Sequence, residues 1–274
     1  MQSNNPIFNR SPQFNGQGGQ QTYADPSQWD ISQPGQAMGY APTTERMTID
    51  SVVQRTAMSI GVVIAVAMAT WILTPDVSTA TTQADLSPLM AAVTIGALGA
   101  FALSMVNSFK RVVSPALVLA FAALEGVALG GLSKLFNSFY EGNIVMGAVI
   151  GTFAAFAGTL AAYKFFNIKV SGKFRMFVTA AVFGMIGLAV MELVLGLFSA
   201  QIGLFGVSGL GMVTAFGGLI LGVFMLILDF DFVERGVAAG LEERESWRAA
   251  FAMTVSLVWI YTNLLRILAF FSQD

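Results

Sequence analysis

The sequence predicts an all-α membrane protein with seven transmembrane helices, a cytoplasmic N-terminus and an external C-terminus. Three observations carry this expectation. Of the 274 residues, 55% are hydrophobic and only 11% are charged, against a charged share of about 25% in soluble domains. From residue 52 onward, long apolar runs alternate with short polar breaks, and each run reaches the about 20 residues a spanning helix needs. Lys and Arg collect on alternate breaks, as the retention of positive residues in the cytoplasm requires. The runs are too long and too evenly apolar for the strands of an outer-membrane barrel, which alternate over about ten residues.

Residues 1–46 stand apart. They are rich in Gln, Asn, Gly, Pro and Ser, as in Gly16-Gln17-Gly18-Gly19-Gln20-Gln21. No apolar period could bury a face, so this stretch reads as a disordered polar tail ahead of a transmembrane domain at 47–274. The tail lacks a signal-peptide pattern, so the first span is expected to act as its own insertion signal.

The first span, 52–73, has Arg55 near its start, positioned to reach headgroups, and leads into a break with Asp76 and Asp85 but no Lys or Arg. The second, 88–109, ends on Lys110 and Arg111. The third, 112–136, carries Glu125 near its middle and Lys134 just inside a break that holds Glu141. The fourth, 144–166, leads into Lys164, Lys169, Lys173 and Arg175. The fifth, 174–198, carries Glu192 and ends in the uncharged break 199–204. The sixth, 205–228, is closed by Asp229 and Asp231 before Arg235, Arg244 and Arg248. The seventh, 247–271, carries Arg266 near its end. With Arg10 and Arg46 in the tail, the basic breaks lie on the N-terminal side, and an odd number of helices puts the C-terminus opposite. The pairs Gly126/Gly130, Gly147/Gly151 and Gly218/Gly222 match the small-residue spacing that lets helix backbones approach closely.

Composition also excludes chemistry. With no cysteine and no histidine, the chain has no disulfide framework, thiolate nucleophile, zinc ribbon, histidine triad or histidine pH switch. Gly206-Val207-Ser208-Gly209 matches an intramembrane serine-protease pattern but has no histidine base. No phosphate loop is apparent. The chain is therefore expected not to be an enzyme, to hold no cofactor and, at a formal net charge of -2, to bind no nucleic acid. Its first partner is the lipid bilayer.

Ionisable groups inside spans are costly and mark candidate function. Glu125 lies deepest. Glu192 lies towards the external side, at a height similar to Arg266, and the two are expected to pair. Asp229 and Asp231 are two apart and point about 200° from each other on a helix, so they do not form a dyad on one face unless the helix breaks here. The candidate ion- or proton-sensing residues are Asp229, Asp231, Glu125 and Glu192. The candidate basic partners are Lys110, Arg111 and Arg266.

Leu228-Asp229-Phe230-Asp231 at the end of the sixth span, Asn263-Leu264-Leu265-Arg266 in the seventh and Lys110-Arg111 after the second give the chain from Thr48 to Phe271 a resemblance. It resembles the transmembrane Bax inhibitor motif family, and most of all the bacterial branch with a polar N-terminal extension. The resemblance implies a last helix surrounded by the other six and an inner (plasma) membrane location. It implies a pH-sensitive calcium leak, with calcium a transient ligand at most. It further implies that Asp229 pairs with an acidic residue of the last helix and contacts Lys110 or Arg111. The position matching that second acid is about Ser256, and no acidic residue lies between Trp247 and Phe271.

The expected function is thus a cation leak channel, with calcium the expected ion, modulated by protonation of buried carboxylates. The alternative is a non-conducting regulator of another membrane protein, such as a quality-control protease. Its contacts would be the tail and the charged segment from Glu234 to Arg248.

Overall fold

The structure is a computed structural model that describes residues 45–77, 86–140, 142–200 and 202–273. Of the tail expected to be disordered at 1–46, residues 1–44 lie outside the described residues, and Asp85 and Glu141 lie outside them too. The described chain forms seven helices: α1 (Ile49–Leu73), α2 (Ser87–Phe109), α3 (Pro115–Phe139), α4 (Ile144–Phe165), α5 (Gly172–Leu197), α6 (Gly209–Ala238) and α7 (Glu245–Phe271). All seven are long and apolar enough to cross a membrane.

Local chemistry sets the helix ends. Thr48 and Ser51 cap α1 reciprocally, each side chain accepting the other's backbone N–H at 3.0 Å, which satisfies donors a helix start leaves open. Pro115 begins α3, where its missing N–H costs nothing. Ser171 and Ser208 cap α5 and α6. Ser208 is the serine of the protease-like pattern. Its hydroxyl accepts from Gly211 N at 3.3 Å and donates to Gly203 O at 3.0 Å, so here it shapes a helix start.

The central element is α7, which packs against α1, α3, α4 and α6, while α2 packs on α3 and α5 on α6 at the periphery. All three glycine pairs serve this packing. Gly126 and Gly130 meet the α1 backbone at Val63 and Ala67, Gly147 and Gly151 meet Leu268 and Leu264 of α7, and Gly218 and Gly222 meet Asn263 and Ile260 of α7. A Cβ on Gly126 would fall 2.6 Å from the carbonyl oxygen of Val63, a backbone atom that cannot rotate away. Gly126→Ala is expected to cost about 1–3 kcal/mol by overpacking. A Cβ on Gly158 meets nothing within 4 Å, so Gly158→Ala should be neutral or slightly stabilising. Thermal unfolding in detergent compares the two variants, and equal melting shifts would contradict this account of the α1–α3 contact.

Two polar ends frame the bundle. At one, the chain before α1 docks on the α6–α7 loop. Arg46 and Glu242 form an antiparallel bridge, and Met47 N and Glu243 N donate to Leu241 O and Glu45 O, each at 2.7 Å. Arg55 pairs with Glu243 at 2.7 Å and stacks over Trp247. The hydrogen bond and negative charge of Glu243 push the Glu45 carboxyl above its ordinary value. At the other end, Lys134 is buried. It donates to Trp71 O and Thr74 O at 2.8 and 2.6 Å and pairs with Asp76 at 2.9 Å, closing the last carbonyls of α1.

Candidate functional site

The sixth helix runs ten residues beyond its predicted end at 228. Asp229 and Asp231 therefore sit inside a helix and do not close one. The turn after them is held by Arg235, four residues from Asp231, a spacing that brings side chains together on a helix. As the 200° separation requires, the two carboxylates face different neighbours.

Asp229 faces α7. Ser256 Oγ donates to its Oδ2 at 2.6 Å, and among the described residues this is its only side-chain hydrogen bond or ion pair. Ser256 is fully buried and is the position at which the resemblance places a second acid. The approach that makes this contact is set two and three turns away. There Gly222 admits Ile260, Gly218 admits Asn263, and the Trp259 indole donates to Gly218 O at 2.8 Å.

Asp231 faces the other way and is the buried member, 4% exposed. Arg175 of α5 and Arg235 each bind one of its oxygens at 2.9 Å. Arg235 also donates to Val170 O at 3.0 Å, and the adjacent Glu234 accepts from Tyr163 of α4. This cluster ties α4, α5 and α6 together. Of these, Arg235 was legible from its spacing, whereas nothing in the sequence placed Arg175 or Tyr163 beside it.

Glu125 is half-buried, and among the described residues nothing hydrogen-bonds or ion-pairs with its carboxylate. Four residues on either side, Phe121 rings against Phe251 of α7 at 5.0 Å, and Leu129 clusters with Tyr261. Those neighbours put Glu125 on the stripe of α3 that faces α7. Phe121–Phe251 below and Ser133–Tyr261 above bracket it at the level of Thr254 to Ser256. Glu125 and Asp229 thus flank the same turns of the central helix from different sides, and among the described residues neither has a cationic partner.

The expected pair of Glu192 and Arg266 does not form. Both reach the α5–α6 loop, as their similar height predicts, but they bind backbone groups and not each other. Glu192 Oε1 accepts from Gly203 N at 2.6 Å, and its other oxygen is buried with no hydrogen-bond partner among the described residues. Arg266 donates to Leu204 O at 2.9 Å, Gly211 O at 2.7 Å and Thr214 Oγ1 at 2.9 Å, and stacks over Phe205. Loop carbonyls are strong acceptors that must be satisfied in any case, so they replace the carboxylate. The expected contact of Asp229 with Lys110 or Arg111 is also not formed. Both basic residues are exposed at the end of α2, and among the described residues neither takes part in an ion pair. The Arg111 carbonyl instead accepts from Arg248 at 2.8 Å. Ser256 is near enough to satisfy Asp229 where these basic groups are not.

Among the described residues, no three His, Cys, Asp or Glu side chains are grouped to hold a metal ion. No curated protein matches the chain. A family model described as Bax inhibitor 1 like matches residues 5–273, nearly the whole chain and all seven helices. With its apolar spans, central last helix and Asp229 on the α6–α7 seam, the chain belongs to the Bax inhibitor 1 like family of multi-pass membrane proteins.

Proposed function

We propose that the protein is a cation leak channel of the inner membrane, with calcium the expected permeant ion, and that the α6–α7 seam at Asp229 is its gate. The observation that carries this reading is the contrast between the two carboxylates. Asp231 is fixed by two arginines, whereas Asp229 is held by one neutral hydroxyl. A single hydrogen bond nets about 1.5–3 kcal/mol when one partner is charged, small enough to be made and broken. Glu125, level with it and uncompensated, supplies a second oxygen ligand of the hard type calcium prefers. In this reading the basic end of the bundle is cytoplasmic, calcium passes without a resident site, and no step is catalytic.

The gate responds to protons through Asp229. When Asp229 is ionised, Ser256 donates to a charged carboxylate, and a charge-assisted bond is roughly twice as strong as a neutral one. Protonation therefore weakens the seam and shifts the balance towards opening as pH falls. Asp229→Asn keeps the shape and removes the charge. In vesicles reconstituted with purified protein, it is expected to raise calcium flux at neutral pH several-fold and to flatten its pH dependence. Flux that keeps the wild-type level and pH profile would remove Asp229 from the mechanism.

One observation favours the second reading, a regulator of another membrane protein. The chain before α1 is bridged to the α6–α7 loop, which brings the root of the tail beside the charged segment from Glu234 to Arg248. Deleting residues 1–44 separates the two readings. A channel keeps its vesicle flux within about twofold, whereas a regulator that works through its tail loses its effect on its partner while showing no flux of its own.

A further inference from the structure

We infer that the cleft between α1 and α4 is a seat for one acyl chain of a bilayer lipid. The cavity there has a volume of about 310 Å³, at the lower end of the about 300–1,000 Å³ of small-molecule sites. Ile64 and Met68 of α1 form one wall, Val149 and Phe153 of α4 the other, and Val258 and Tyr261 of α7 the floor. Three of the four polar side chains along it are already consumed, and the fourth, Trp71, stands at the end of α1. The Ser133 and Tyr261 hydroxyls bond each other at 2.6 Å, and Thr152 donates to Ala148 O at 2.7 Å within its own helix. With the Trp71 indole alone left over, the cavity lacks the about two to four polar partners a water needs, and it offers a polar ligand little to bind.

Length and volume select the occupant. The cavity follows α1 from Ile60 to Ile72, about 18 Å of helix axis, which matches the roughly 15 Å depth of one leaflet of a hydrocarbon core about 30 Å thick. A helix about 10 Å across and of that length would displace on the order of 1,400 Å³, more than the about 1,020 Å³ of empty space in the cleft. An extended hydrocarbon chain fits, and a helix from a second copy does not. The mouth is continuous with the lipid-facing surface, because Ile64, Met68 and Phe153 are all exposed along it. The floor is also the back of a functional turn. Val258 lies about 200° around α7 from Ser256, so the chain rests behind the residue that holds Asp229.

The test uses the full chain in phosphatidylcholine vesicles that contain a phosphatidylcholine with a mid-chain diazirine. After irradiation, lipid adducts are mapped by peptide mass spectrometry. Adducts are expected on Val258 and Tyr261, as well as on the exposed α5 residues Met176 and Phe177, which report ordinary lipid contact. Val149→Trp fills the cleft and should lower floor labelling at least tenfold while α5 labelling is unchanged. Ile64→Trp fills it from the opposite wall and gives a second reading should the first variant fail to fold, as loss of the α5 pattern would reveal. An unlabelled floor in the wild type, floor labelling that survives both fillings, or a protein dimer crosslinked across the cleft in place of lipid adducts overturns the inference.

Discussion

Replacing Arg175 and Arg235 together by methionine is expected to destabilise the fold by about 3–5 kcal/mol, the cost of leaving a buried carboxylate unpaired. Asp231 is 4% exposed, whereas the side chains of Arg175 and Arg235 are 53% and 58% exposed. The arrangement is therefore asymmetric. Removing the acid by Asp231→Asn leaves two arginines that solvent can serve, and should cost only about 1 kcal/mol, as for exposed ion pairs. Methionine keeps most of the arginine stem volume, so the comparison isolates charge from packing. The triple change of Asp231→Leu with both methionines should recover most of the stability, since a buried ion cluster replaced by apolar side chains is often neutral or better. Chemical unfolding in detergent measures all three. Equal costs for the acid and for the paired arginines would show that Asp231 is not the buried centre of this cluster.

Much of the fold is legible in the sequence because hydropathy is a one-dimensional signal. A spanning helix satisfies its own backbone, so a run such as 88–109 declares itself without knowledge of its neighbours. The glycine pairs are legible for a similar reason, since close approach needs the absence of a side chain whatever the partner. The end of α6 was not legible. Its last ten residues interleave four charged side chains with apolar ones, and they stay helical through contacts from α4 and α5 that lie far away in sequence, Tyr163 with Glu234 and Arg175 with Asp231.

The site was legible in part. The 200° separation of Asp229 and Asp231 told that they serve different neighbours, but not which one is buried against arginines. The correspondence of Ser256 with Asp229 came from the resemblance, which places a second acid at about that position, and the two do meet at 2.6 Å. The pairing of Glu192 with Arg266 failed because charge matching ignores the backbone. The loop between α5 and α6 offers N–H and C=O groups closer to each side chain than the opposite charge is. Lys134 misled in the same way. Read as a loop charge near Glu141, it is a buried cap on the carbonyls that end α1.

The proposed gate requires α6 and α7 to part where Asp229 meets Ser256, and the absence of cysteine from the chain makes the requirement testable without background. Gly218 and Asn263 face each other across the same seam, and a Cβ on Gly218 falls 2.8 Å from Asn263 Cγ. The Asn263 Cβ is one C–C bond of about 1.5 Å beyond that Cγ, so the two Cβ atoms lie no more than about 4.3 Å apart, within the reach of a disulfide, whose Cβ atoms lie about 3.5–4.5 Å apart, and the smaller cysteine at position 263 vacates the room the new side chain needs. The measurement is calcium flux in vesicles holding the Gly218→Cys, Asn263→Cys protein, first oxidised and then reduced, at a pH where the wild type leaks. Flux that falls to the level of empty vesicles on oxidation and returns on reduction is the expected result. Flux that persists unchanged with the seam covalently closed would contradict it, and would place any conduction path somewhere other than between α6 and α7.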